Sequence, residues 1–163
     1  MSLFLYFLRH GDAEEARAGQ SDADRRLTDK GQKQTERVAE ALARVGVHPA
    51  AIITSPLVRA RQTAEIVARA LAVPLVQDDR LACGASWQDV RAIVAERAPG
   101  AAPAAKPAVL FVGHEPDFGE IVSALIGGGE IDFKKSAVAC VECAEVGPGA
   151  GVLCWYVIPK LWP

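Results

Sequence analysis

Along the chain, short uncharged apolar runs alternate with longer stretches in which apolar positions recur every three or four residues. Residues 3–8, Leu-Phe-Leu-Tyr-Phe-Leu, hold no charge and no turn residue, the pattern of a strand buried on both faces, as in a parallel sheet. Residues 51–54 and 108–112 repeat it. Between these runs, Thr28-Asp29 reads as a helix start, Val38, Leu42 and Val45 recur at helical spacing, and Gly46 reads as the stop. A second helix is predicted to open with Ser55 as N-cap and Pro56 in its first turn, continuing through Ile66, Val67 and Leu71. Leu75-Val76 reads as a very short strand and 87–97 as a weaker helix. A last helix turns Ile121, Val122, Leu125 and Ile126 inward and ends at Gly127-Gly128-Gly129, and residues 137–146 and 152–158 form two strands joined by a Gly-Pro-Gly turn.

Strand followed by helix, repeated, predicts a three-layer α/β/α sandwich with a mainly parallel sheet and a C-terminal hairpin. Its 163 residues suit one domain with a full core, spanning 1–163. Residues 12–26 read as a charged loop, and 98–107, rich in Pro and Gly, as an exposed connection.

Composition narrows the function. A formal net charge of −2 gives no electrostatic case for nucleic acid or an anionic membrane as partner. The first apolar run is too short to span a bilayer and has no basic region before it, so the expected compartment is the cytoplasm. Four cysteines read as reduced thiols rather than a disulfide framework. Cys140 and Cys143 have zinc-ligand spacing, but in a strand they face opposite sides, and no second Cys/His pair accompanies them. No phosphate-binding Gly-x-x-x-x-Gly-Lys-Ser/Thr loop occurs.

The candidate chemistry lies where strands give way to helices. The first buried run ends in Arg9-His10-Gly11, the second leads into Ser55 through Arg59, and the third into Gly113-His114. Parallel strands joined by right-handed crossovers present their carboxyl ends on one edge, so two histidines and two arginines distant in sequence can converge on one crevice. A fixed cation beside a titratable nucleophile suits a phosphoryl group. Arg59, near the positive end of a helix dipole, calls for an anion to compensate it.

Arg9-His10-Gly11, Ser55-Pro56-x-x-Arg59-x-x-Gln62-Thr63 and Gly113-His114-x-Pro116, in this order, resemble the histidine phosphatase superfamily. The short chain and its Arg25-Arg26-Leu27-Thr28-x-x-Gly31 segment resemble the small bacterial SixA-type phosphohistidine phosphatases. The resemblance, which spans residues 3 to about 126, implies a phosphoglycerate-mutase-like fold and His10 as the nucleophile that becomes phosphorylated. It also implies Arg9 and Arg59 gripping phosphoryl oxygens, His114 donating to the transition state, and Gly11 allowing close backbone approach. Arg25 is a further phosphate contact, a role Arg26 could fill instead. No metal or cofactor is implied. The expected partner is a phosphotransfer protein carrying phosphohistidine.

One departure bears on the substrate. Mutase and phosphomonoesterase branches carry an acidic proton donor in the loop after the second helix, whereas Leu81-Ala82-Cys83-Gly84-Ala85-Ser86 has no carboxylate. The flanking Asp78, Asp79 and Asp89 read as solvated turn or helix-start residues. An alkoxide needs a proton to leave; an imidazole, with a pKa near ~6.5, leaves with little help. The expected activity is therefore removal of phosphoryl groups from protein phosphohistidine. The alternatives are a small-molecule phosphomonoesterase on the same scaffold and, in a different class, a catalytically silent phosphoprotein-binding module.

Overall fold

The computed structural model describes residues 2–97 and 107–162; nearly all of the predicted connection over 98–107 lies outside them. In chain order the elements are β1 (Leu3–Arg9), α1 (Asp29–Arg44), β2 (Ala51–Thr54), α2 (Val58–Leu71) and β3 (Leu75–Gln77). They continue with α3 (Trp87–Arg97), β4 (Ala108–Gly113), α4 (Asp117–Ile126), β5 (Val138–Cys143) and β6 (Gly151–Val157). The six strands form one sheet in the order β3-β2-β4-β1-β5-β6. The first four are mutually parallel. β5 runs antiparallel to β1, and β6 antiparallel to β5, closing the chain with the expected hairpin.

The lack of polar positions in β1 follows from its place in this sheet. Leu3, Leu5 and Phe7 enter one core with Phe111, with Val90 and Ile93 of α3, and with Phe118, Ile121, Val122 and Leu125 of α4. Leu8, with Tyr6 partly buried, faces a second core built from Val38 and Leu42 of α1 and Ala60, Ala64 and Val67 of α2. Helices thus cover both faces, giving the three-layer α/β/α sandwich. A strand with no solvent face has no position at which a polar side chain is inexpensive. Phe7 stacks on Phe111 with ring centroids 5.6 Å apart and meets the edge of Phe118 at 5.3 Å.

Helix α1 starts where the sequence places it: Thr28 Oγ1 accepts the Gly31 N–H at 3.0 Å. The same hydroxyl donates to Asp12 Oδ2 at 2.8 Å, so the cap also ties the helix to the loop leaving β1. Three expectations are corrected. Ser55 is not the N-cap of α2; the helix begins two residues later than expected, with Leu57 in that position and no side-chain cap bond, and the Ser55 hydroxyl contacts His114 and the Leu57 N–H instead. Val45 is 56% exposed, since the chain leaves the helix at Gly46 with φ +76° and Val47 takes the inward position. Asp78 is buried rather than solvated, held by Arg80 at 2.8 Å and Arg97 at 3.4 Å.

The four cysteines are free thiols. Cys143 enters the core under α4, while Cys140 faces Tyr6 and Cys154, the opposite-side placement expected of a strand.

The packing of α1 against the β1 exit leaves no room at Gly31. A Cβ there would lie 2.1 Å from the Asp12 carbonyl oxygen, a backbone atom that cannot rotate away. Gly31→Ala should lower unfolding free energy by about 1–3 kcal/mol, read from urea midpoints at constant slope. Stability equal to the parent protein would show that the loop yields instead.

Candidate active site

β2, β4 and β1 are adjacent and parallel, so their carboxyl ends open on the same edge. From that edge Arg9-His10, Gly113-His114 and the Ser55–Arg59 segment meet. The His10 and His114 rings lie 5.2 Å apart, and Arg59 Nε is 3.3 Å from His10 Nε2. His10, Arg59 and His114 are all buried. The backbone registers the first two strand ends directly, through His10 N–H to the Gly113 carbonyl at 3.0 Å.

Hydrogen bonding sets the state of each imidazole. His10 Nδ1 is 2.7 Å from the Gly11 carbonyl oxygen. A carbonyl only accepts, so Nδ1 carries the proton and the lone pair is on Nε2, facing the Arg59 Nε–H. Burial, seconded by the His114, Arg59 and Arg9 charges, lowers the His10 pKa from 6.5 to about 3, leaving a neutral nucleophile. On His114, Nε2 lies 2.7 Å from Ser55 Oγ. That hydroxyl also accepts the Leu57 N–H at 3.3 Å; its one O–H, when turned to His114 Nε2, selects the tautomer with the ring hydrogen on Nδ1. His114 Nδ1, buried and without a partner among the described residues, then bears the hydrogen available to an incoming oxygen. Burial and then Arg59 lower the His114 pKa to about 4.

The counter-charge that Arg59 calls for is Asp22. Arg59 Nη1 donates to the Asp22 backbone carbonyl at 2.8 Å and Nη2 to its carboxylate Oδ2 at 3.0 Å, leaving the Nε side of the guanidinium facing His10. Arg25 grips the other carboxylate oxygen at 2.8 Å and donates to the Glu14 carbonyl at 2.6 Å. Arg25 therefore reaches the site through Asp22. Arg26 is exposed and has no part in this chain of contacts. Hydrogen bonds from Arg25 and Arg59 hold the Asp22 carboxyl below its usual range. Arg9 donates from Nη1 to the Phe133 carbonyl at 2.6 Å, and its Nε is buried without a partner among the described residues.

Gly11 is needed for a different contact from the one the sequence suggests. Its N–H is taken by Thr63 Oγ1 at 3.0 Å, and a Cβ there would meet Thr35 Oγ1 at 2.8 Å and the Gly31 carbonyl at 3.2 Å. The close approach it permits is that of α1. Gln62 accepts the Leu27 N–H at 2.8 Å, fastening the far end of the 12–26 loop to α2. The 81–86 loop is held by buried Asp117, which accepts from the Gly84 and Ala85 N–H groups at 2.8 and 3.1 Å.

The flanking carboxylates are committed as well. Asp89 accepts from Ser86 N–H at 2.8 Å and from its hydroxyl at 2.6 Å, and Asp79 accepts from Gln77 at 3.2 Å. Glu115, whose carboxyl is pushed up by burial, accepts the Gly119 N–H at 3.2 Å. Among the described residues no group of three or more His, Cys, Asp or Glu side chains is placed to hold a metal ion. No helix among them is long and apolar enough to cross a membrane.

Sequence reasoning brought Arg9, His10, Arg59 and His114 together but gave no role to Asp22, Thr63 or Asp117 and misassigned Ser55. The available signals were the anion demanded by Arg59, and the Gln62-Thr63 pair one helical turn beyond it.

A neutral histidine flanked by guanidinium groups and a second histidine at a sheet edge defines a phosphoryl-transfer site. The chain belongs to the histidine phosphatase superfamily (branch 1), whose model matches residues 5–116. An uncharacterized protein of Picosynechococcus sp. is 40% identical over 144 residues, covering 82% of this chain and 81% of its own. A protein of Serratia proteamaculans named "Probable phosphoglycerate mutase GpmB" is 38% identical over 81 residues, which are 48% of this chain and 37% of that one. Among solved structures, the protein histidine phosphatase SixA complexed with tungstate superimposes with a TM-score of 0.81 at 30% identity, over 96% of this chain and 97% of that one. The SixA structure from Agrobacterium tumefaciens gives 0.77 at 26% identity, over 96% and 97%.

The depressed histidines have a thermodynamic signature. Unfolded, both titrate near 6.5; folded, near 3 and 4. In between, the unfolded chain binds more protons, so stability should be level above about pH 6.5 and fall as pH drops towards 4. Urea unfolding across that range should show the decline, and His114→Asn should reduce its slope by roughly half, leaving the His10 share. A second expectation concerns Ser55→Ala, which strands a buried imidazole nitrogen at a cost of about 1–3 kcal/mol, roughly 5- to 160-fold in turnover if it falls on the transition state. Ser55→Thr, which keeps the hydroxyl, should recover most of that loss in kcat.

Proposed function

We propose that this protein hydrolyses phosphohistidine on proteins through a phosphorylated His10. The lone pair on His10 Nε2 attacks phosphorus while the bond from phosphorus to the substrate nitrogen breaks; the substrate imidazole, protonated on its other ring nitrogen, keeps the electron pair and departs as neutral imidazole. Arg9, Arg59 and the His114 Nδ1–H take the charge spread over the phosphoryl oxygens. Water then attacks the phosphorylated His10, releasing inorganic phosphate and returning the electron pair to Nε2.

The observation that carries the substrate class is the condition of the carboxylates around the site. Asp22 is held ionised by Arg25 and Arg59, and Asp78, Asp89 and Asp117 are taken up by Arg80, Ser86 and the 84–85 backbone. An ionised, doubly paired carboxylate is a poor proton donor, so the favoured leaving group is one that departs without a proton. The likeness to a structure named protein histidine phosphatase supports the same reading.

One observation favours a phosphomonoesterase instead. The Glu115 carboxyl follows His114 directly and is raised by burial, which outweighs the lowering by the Gly119 N–H and the Arg9 charge, so it retains a proton more readily than an ordinary glutamate. The partial match to a probable phosphoglycerate mutase points the same way.

Rates on phosphohistidine peptides, aryl phosphates and alkyl phosphates separate the two. The proposal expects phosphohistidine and aryl phosphates to be turned over about 10²–10⁴-fold faster than phosphoserine or sugar phosphates, the usual contribution of general acid catalysis. An alkaline quench should trap the label on His10. Comparable alkyl and aryl rates, with only the alkyl rate lost in Glu115→Gln, would establish the phosphomonoesterase.

A further inference from the structure

Arg9 does more than face the nucleophile. It also lines a cavity of about 520 Å³ together with Lys30, Lys134, Lys135 and Lys160. Lys30 comes from the first turn of α1, Lys134 and Lys135 from the segment before β5, and Lys160 from the turn after β6. Three remote parts of the chain thus bring basic side chains to one opening, in a protein whose formal net charge is −2.

The positive charge there is only partly neutralised. Lys135 pairs with Asp12 at 2.6 Å and Lys134 with Asp132. Lys30 and Lys160 have no ion pair among the described residues. On another side of Arg9 the sign reverses. Glu115 and Asp132, whose charges Arg9 feels, line a separate groove with Glu120 and Glu130. An acidic chain leading away from a phosphoryl group on His10 is therefore attracted in one direction and repelled in the other. Ile158 and Pro159 give the basic cavity an apolar portion, and its volume exceeds what a lone inorganic anion fills. These dimensions fit several side chains of a polypeptide.

We propose that the lysine-lined cavity docks a carboxylate-rich stretch of the protein substrate, flanking the phosphorylated residue. The proposal rests on the phosphatase reading of the site, though not on histidine being the phosphorylated residue. Exposed charge pairs are individually weak, so the benefit comes from several acting together, and it is screened by salt.

The test uses peptides of one length carrying phosphohistidine or phosphotyrosine, each flanked by three aspartates or three alanines. The quantity read is the ratio of kcat/KM for the aspartate-flanked over the alanine-flanked peptide, which cancels any change in the chemical step. We expect a ratio of about five to ten at low salt, falling towards one in 1 M salt, where the Debye length is about 3 Å. The ratio should also fall towards one in Lys30→Glu/Lys160→Glu, with Lys30→Gln and Lys160→Gln each giving part of the loss. A ratio of one in the parent protein, or an unchanged ratio in the double variant, overturns the proposal. So does a cavity that takes only small polyanions, seen as inhibition by inorganic tripolyphosphate that the double variant loses while flanks make no difference. The two readings fail separately. An aspartate preference on phosphotyrosine with no phosphohistidine turnover keeps the docking surface and removes the phosphohistidine substrate. Phosphohistidine turnover indifferent to its flanks does the reverse.

Discussion

A dry pocket that holds two guanidinium groups can keep a nucleophilic imidazole only while that imidazole is neutral. Desolvation and the nearby positive charges act on His10 in the same direction, so the environment that concentrates charge for a phosphoryl group also keeps the lone pair available. The Gly11 carbonyl completes the arrangement by fixing which nitrogen carries the proton. His114 is buried under the same constraint and is held at Nε2 by the Ser55 hydroxyl, 2.7 Å away. The buried strands and the helices covering both faces supply the burial on which this depends.

An excess of buried positive charge needs compensation, and the 12–26 loop supplies it. Asp22 meets Arg59 and Arg25 at once, while Thr28 and Gln62 fasten the end of the loop to Asp12 and Leu27. A segment of small and charged residues, which looks dispensable as a sequence, is thereby part of the phosphate site. The arginine proposed to bind phosphoryl oxygens is oriented by a carboxylate on its other flank.

The strands were legible because full burial leaves a one-dimensional trace, an uninterrupted apolar run. The Thr28 cap and the Gly127 stop were legible because each is a local demand of the backbone. His10, Arg9, Arg59 and His114 could be grouped because parallel topology alone sends their strand ends to one edge. What stayed hidden depends on contacts between distant residues. Ser55 reads as a cap from its neighbours, and only the position of β4 shows that His114 claims its hydroxyl. Asp22, in a loop with no periodicity, is indistinguishable in sequence from Asp24, which makes no such contact with Arg59. Asp78 looks solvated until α3 brings Arg97 beside it.

The hydroxyl of Thr63 links two parts of the site that would otherwise answer to different elements. It accepts from the Gly11 N–H while donating to the Arg59 carbonyl one helical turn earlier. The residue after His10 and the backbone of Arg59 are thus held by a single oxygen atom. Through that atom any displacement of α2 along the sheet pulls on the end of β1, which couples the position of the imidazole to that of the guanidinium.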